Sequence, residues 1–118
     1  MYNILVFGLK DYRDNFKENF SLLPCKFLFV DSAAEFYSTA FSRIFDLWII
    51  ESTHPNFTEI ALTELVTTHN TPHIFLCSET EQNQAASSFV QLTRVNIIAK
   101  ADLKRSADLF SQLMRDTR

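Results

Sequence analysis

Asp46-Leu47-Trp48-Ile49-Ile50-Glu51-Ser52-Thr53-His54-Pro55 is the stretch whose reading decides the fold. Residues 47–51 begin as an unbroken apolar run and end on a carboxylate. The run does not alternate with period two, so it reads as a strand buried on both faces, at the centre of a parallel sheet. Glu51 then falls at the C-terminal tip, where open α/β sheets place their functional crevice. Pro55 turns the chain away, because proline cannot continue the ladder.

On either side the chain alternates between strand and helix periods. Tyr2–Phe7 is a short β-branched and aromatic run ending at Gly8. Tyr12, Phe16, Phe20 and Leu23 then recur at helical spacing, which predicts a helix from Asp11 to Leu23 with Asp11 as its N-cap and Pro24 as its stop. Lys26–Val30 is the second strand. Ser32 with Glu35 has the spacing of a capping box, and the helix it opens has Ala33, Tyr37, Ala40, Phe41 and Ile44 as its expected apolar face.

Beyond the central strand, Asn56 or Thr58 opens a third helix through Ala61, Leu62, Leu65 and Val66. His73–Cys77 follows a turn at Asn70-Thr71-Pro72 and is the fourth strand. A weaker helical pattern covers Glu81 to Thr93. Val95–Ala99 is the fifth strand, and Leu103, Ala107, Phe110 and Met114 mark a last helix from Asp102 to Arg115.

Five βα units therefore fill residues 1–118 with short connections, which predicts one domain. Right-handed crossovers and one reversal of direction give a doubly wound (βα)5 parallel sheet of flavodoxin-like order 2-1-3-4-5. The strand tips that meet at the reversal are Gly8 and Glu51.

Composition narrows the function classes. A net charge of −3, with no basic cluster larger than Lys104-Arg105, argues against direct nucleic-acid binding. The apolar runs are far shorter than the ~20 residues of a membrane span, and the N-terminus has no signal-peptide layout. The single glycine excludes Gly-rich phosphate loops, and with them a dinucleotide or flavin cofactor of the usual kind. Cys25 and Cys77 fall on strands three places apart, roughly 14 Å at the usual strand spacing. A disulfide needs Cα atoms within about 7 Å, so both read as free thiols of a cytoplasmic protein.

These residues carry a resemblance that spans the whole chain. The run Asp46 to Pro55 resembles the receiver domains of bacterial response regulators, which are CheY-like modules that accept a phosphoryl group on an aspartate. The segment Pro72 to Ser78 is similar to the family's fourth strand, and Lys100 stands at the family's fifth-strand lysine. The resemblance implies a cytoplasmic signalling module of two-component systems and phosphorelays, rather than a classical enzyme. It also implies a protein partner or attached effector domain, and contacts or homodimers through the fourth helix, fifth strand and fifth helix. On that face the sequence offers Gln82, Gln84, Ser87, Ser88 and Gln91 with Lys104, Arg105, Asp108 and Arg115.

The departures from the family are as informative as the matches. Glu51 replaces the phosphoacceptor aspartate, and Gly8 and Leu9 replace the two acids that would bind Mg²⁺. Cys77 takes the place of the fourth-strand Ser/Thr, with Ser78 next to it. Ile97 replaces the aromatic switch residue, and Ala101 the proline after the lysine. Phosphoryl transfer to a carboxylate needs a cation to neutralise charge on the phosphoryl oxygens, and Mg²⁺ is held mainly by carboxylates. Glu51 alone, also required as nucleophile, is a poor metal site. The expectation is a degenerate pseudo-receiver with no catalytic residue, metal or cofactor. The competing reading is a receiver still phosphorylated at Glu51 or at Ser52.

Glu51 is one methylene longer than Asp, so its carboxylate can reach the Lys100 ammonium. Two readings stay open: a built-in ion pair in place of the phosphoryl–lysine contact, or two relics paired weakly at a solvated sheet edge. Cys77 near Lys100 also reads two ways, as a thiol activated by the ammonium or as an inert packing residue. His54, His69 and His73 do not converge with Cys77 in the expected topology, so they make no metal site.

Overall fold

Ile4, Leu5, Val6 and Phe7 are fully buried, and so are Leu47, Ile49 and Ile50, whichever face of the sheet each addresses. Two strands apolar on both sides need cover on both sides, and that requirement organises the rest. The computed structural model describes residues 1–60, 65, 72–78 and 95–116. Its five strands are β1 (Tyr2–Phe7), β2 (Cys25–Val30), β3 (Leu47–Glu51), β4 (His73–Ser78) and β5 (Val95–Ala99). They run parallel in the order β2-β1-β3-β4-β5, the order the sequence pattern predicts.

Helix α2 (Ala33–Ser42) covers one face, where Phe36 and Ala40 pack with Leu5, Phe7, Trp48, Ile50 and Leu76. Helices α1 (Arg13–Asn19) and α3 (Leu103–Asp116) cover the other, where Phe16 and Phe110 pack with Ile4, Val6, Ile49, Phe75 and Ile98. Phe20 bridges these two helices and β2, with ring centroids 6.1 Å from Phe110 and 5.3 Å from Phe27. At the N-terminal edge of the sheet, Asp46 clips β3 to β1. Its N–H donates to the Asn3 carbonyl and its Oδ2 accepts from Asn3 N–H, both at 2.8 Å.

Local structure departs from the periodicity reading in three places. Asp11 is not the cap of α1: it lies in a 3₁₀ turn over Lys10–Tyr12, and α1 starts after Tyr12 with no side-chain cap. The cause is Leu9, whose left-handed backbone (φ 58°) redirects the chain before the helix begins. Phe41 and Ile44 are 64% and 92% exposed rather than packed. The buried stripe of α2 is Ala33, Phe36 and Ala40, and the helix ends at Ser42, before Ile44 is reached. The Ser32 cap is present, with Oγ accepting from Glu35 N–H at 3.1 Å. Finally, Asn56 leads into a 3₁₀ turn over Phe57–Glu59 rather than directly into a helix. Leu65 is helical and buried, whereas the helix expected over 81–93 lies outside the described residues.

Candidate functional site

The tips of β1 and β3 come together at the switch point, and the backbone there is unusual. Gly8 (φ 77°) and Leu9 (φ 58°) are both left-handed. Gly8 N–H donates to the Val30 carbonyl at 2.8 Å, which carries the β1–β2 ladder one residue past the strand. Leu9, where an acid would bind a cation, is instead only 3% exposed and packs with the apolar cluster around Phe16 and Phe110.

Glu51 ends β3 in the same crevice. Its Oε2 lies 2.6 Å from Lys100 Nζ, and the two side chains are only 16% and 13% exposed. The pair is therefore largely shielded rather than at a solvated edge. Its other oxygen, Oε1, lies over Gly8, where an added Cβ would come within 2.5 Å of it. Gly8 thus serves two needs: it takes a left-handed backbone without strain, and it leaves room for the carboxylate.

Lys100 is delivered by the end of β5. Its backbone N–H donates to the Ser78 carbonyl at 2.8 Å, continuing the β4–β5 pairing. Strand register places Cys77 directly beside Glu51. Alternation along β4 sends Cys77 to the α1/α3 face, where Glu51 also points, and its neighbour Ser78 to the opposite face. Ser78 is fully buried and cannot take the Cys77 position without a register slip. Ile97 packs at the border of the α2-side core, on the other face from Cys77.

The Cys77 thiol is not activated. Burial pushes it up to about 12, the Glu51 carboxylate adds to the rise, and Lys100 opposes it only in part. Cys25 is likewise pushed up, to about 11, first by burial and then by the Asp46 carboxylate. Both cysteines are free thiols.

The wall of the crevice includes a residue whose part there the periodicity gave no reason to expect. His54 stacks at a tilt on Phe7 (centroids 4.7 Å apart), and its Nδ1 accepts from Asn56 N–H at 3.1 Å. Beside it, Ser52 Oγ donates to the Cys77 carbonyl (3.1 Å), which also accepts Ser52 N–H at 2.9 Å. Lys10 pairs with Asp31 across the tips of β1 and β2, with both side chains about half exposed.

These residues do not fit a divalent cation. One strand tip offers a glycine and a buried leucine, and the carboxylate on the other already faces an ammonium. Asp11 is exposed in the 3₁₀ turn. Among the described residues, no three His, Cys, Asp or Glu side chains cluster as metal ligands would.

No protein-family model matches this chain, and no curated protein matches its sequence. Solved structures do. A signal receiver domain of an HD domain-containing protein from Pseudomonas fluorescens Pf-5 superposes with a TM-score of 0.72 at 16% identity, covering 98% of this chain and 95% of its own. The fold is that of a response-regulator receiver domain. A signal receiver domain of a two-component histidine kinase from Clostridium thermocellum is similar at TM-score 0.72 and 16% identity, covering 92% of this chain and 94% of its own. A response regulator receiver domain protein from Bacillus halodurans C-125 aligns over the same shares at TM-score 0.66 and 11% identity. At such identities the likeness to receiver domains is one of fold. In this receiver-like chain, Gly8, Leu9, Glu51, Cys77 and Lys100 meet at the C-terminal edge of the sheet.

Proposed function

We propose that this chain is a regulatory module that works through protein contacts, with an intramolecular ion pair where receiver domains carry phosphoryl chemistry. The observation that carries this reading is the Glu51–Lys100 contact of 2.6 Å, formed where the tip of β1 offers Gly8 and the buried Leu9 rather than acids. A carboxylate already matched by an ammonium is a poor nucleophile toward a phosphoryl donor. Without a metal cation, the charge on the transferring group would rest mainly on Lys100, which already faces Glu51. Ser52, the other candidate acceptor, has its hydroxyl engaged with the Cys77 carbonyl.

In this reading Glu51 stands in for a charged acyl phosphate and holds Lys100 in one permanent position. The partner is another protein or an effector domain joined to this one, the setting is the cytoplasm, and no catalytic turnover is involved. Among the described residues no helix is long and apolar enough to cross a membrane. Of the family-derived docking face, residues 82–91 lie outside the described residues, whereas β5 is described and Lys104, Arg105, Asp108 and Arg115 are exposed on α3.

The test is a titration of the ¹⁵N-labelled chain with Mg²⁺ and beryllofluoride, a phosphoryl mimic. The expected result is unchanged amide positions for Gly8, Glu51, Cys77 and Lys100. Saturable shifts at these amides would overturn the reading in favour of a working phosphoacceptor site.

A further inference from the structure

Strand β2 is an edge of the sheet, and its outer side is open among the described residues. Tyr2 N–H donates to the Pro24 carbonyl and Gly8 N–H to the Val30 carbonyl. Residues of even number on β2 therefore face β1. With the strand period of two, the N–H and C=O groups of Phe27 and Phe29 point away from the sheet. Natural edges are usually blunted by prolines, bulges or inward charges. Here Pro24 precedes the strand, and Lys26 is the only charged residue within it.

A groove of about 590 Å³ runs between this edge and α1. Phe27 and Phe29 form part of its floor and are half-buried, and the Arg13 guanidinium sits 4.8 Å above the Phe29 ring. Arg13, Lys17 and Lys26 are exposed along it, and among the described residues no acidic side chain lines it. In a chain of net charge −3, an all-cationic wall beside an aromatic floor is a local reversal of sign.

We propose that this groove binds an extended acidic segment of a partner protein, which adds a strand to the free edge of β2. The backbone groups of Phe27 and Phe29 supply the ladder, and pairing of this kind is a general mode of peptide recognition. Alternate side chains of the incoming strand point to one face, so its apolar residues would lie on Phe27 and Phe29. The three cations select acidic residues and favour encounter. The Glu51 crevice opens at the C-terminal edge of the sheet and takes no part, so the proposal stands independently of the ion pair.

The probe is a short blocked peptide of alternating glutamate and valine, added to the ¹⁵N-labelled full chain. The expected result is saturable shifts at Phe27 and Phe29 with slowed hydrogen exchange of those two amides. A peptide N-methylated at alternate residues should bind roughly tenfold to thirtyfold more weakly, since it loses two ladder bonds. Lys17→Glu and Lys26→Glu should each weaken binding roughly fivefold. No change at Phe27 and Phe29 with millimolar peptide would overturn the proposal. Equal binding of the N-methylated peptide would overturn strand pairing. Protection of the same amides that grows with protein concentration alone would give the edge to a second copy of the chain instead.

Discussion

The Glu51 carboxylate rests on Gly8, so closely that a methyl group on Gly8 would sit 2.5 Å from Oε1 and 3.0 Å from the Glu51 Cβ. The two strand tips at the switch point are therefore coupled sterically, while Lys100 holds the same carboxylate from the other side. The crevice that in an open α/β sheet receives a ligand is here occupied by the chain's own side chains.

Gly8→Ala should be costly for two separable reasons. The backbone at φ 77° strains any residue with a Cβ, and the new methyl group overlaps Glu51. We expect a loss of about 2–4 kcal/mol in urea melts. In a Glu51→Ala background the overlap with Oε1 is gone, and the cost should fall by about 1 kcal/mol. A cost unchanged between the two backgrounds would mean that Gly8 and Glu51 are not in contact.

Glu51→Gln keeps the length of the side chain and removes the charge that faces Lys100. Because both side chains are largely buried, the loss should exceed that of a surface pair, at about 1–3 kcal/mol. Lys100→Met should cost a similar amount, and the double variant less than the sum of the singles. Additive losses in the double-mutant cycle would contradict a direct pair.

Trp48 is 5% exposed in the centre of β3 and meets Phe36 edge-on at 5.3 Å. Trp48→Ala should destabilise by about 3–5 kcal/mol through the cavity left on the α2 side. A loss below about 1 kcal/mol would mean that the strand is not central.

The Cys77 thiol, pushed up to about 12 from an ordinary value near 9, gives stability a defined alkaline dependence. In the unfolded chain the thiol ionises near 9, whereas in the folded chain it keeps its proton. Above that point the folded state binds more protons, so stability falls as pH rises from about 9 toward 12. Cys77→Ala should flatten this part of a stability–pH curve. At pH 8 iodoacetamide should modify Cys77 only at the rate of unfolding, and rapid alkylation of native protein would contradict its burial.

How much of this was legible in the sequence depends on which physical signal was read. The run Leu47–Ile50 was legible because it is too short for a helix, rich in β-branched and aromatic residues and followed by Pro55, which together favour a doubly covered strand. The face of α2 was not legible. Ala33, Phe36 and Ala40 satisfy helical spacing as well as Ala33, Tyr37 and Ala40 do; Phe41 lies within the helix but off the buried stripe, and Ile44 lies beyond its end. Likewise Asp11 looks like a cap until the left-handed Leu9 adds a 3₁₀ turn ahead of the helix, and one sequence carries little sign of that. The reach of Glu51 to Lys100 followed from side-chain length, but its support by Gly8 needed three dimensions. Position by position, Gly8 reads as a lost acid. In space it is the residue that admits the longer carboxylate.

Intact mass after incubation with acetyl phosphate and Mg²⁺, on the natural chain and on Glu51→Asp, tests the central claim most directly. Aspartate restores the usual acceptor but not the missing acids, since Gly8 and the buried Leu9 remain beside it. The account expects no phosphoryl adduct on either protein. A rapid gain of one phosphoryl group on Glu51→Asp would show that the pocket is competent and that Glu51 alone had silenced it. A gain on the natural chain would contradict the ion-pair account outright.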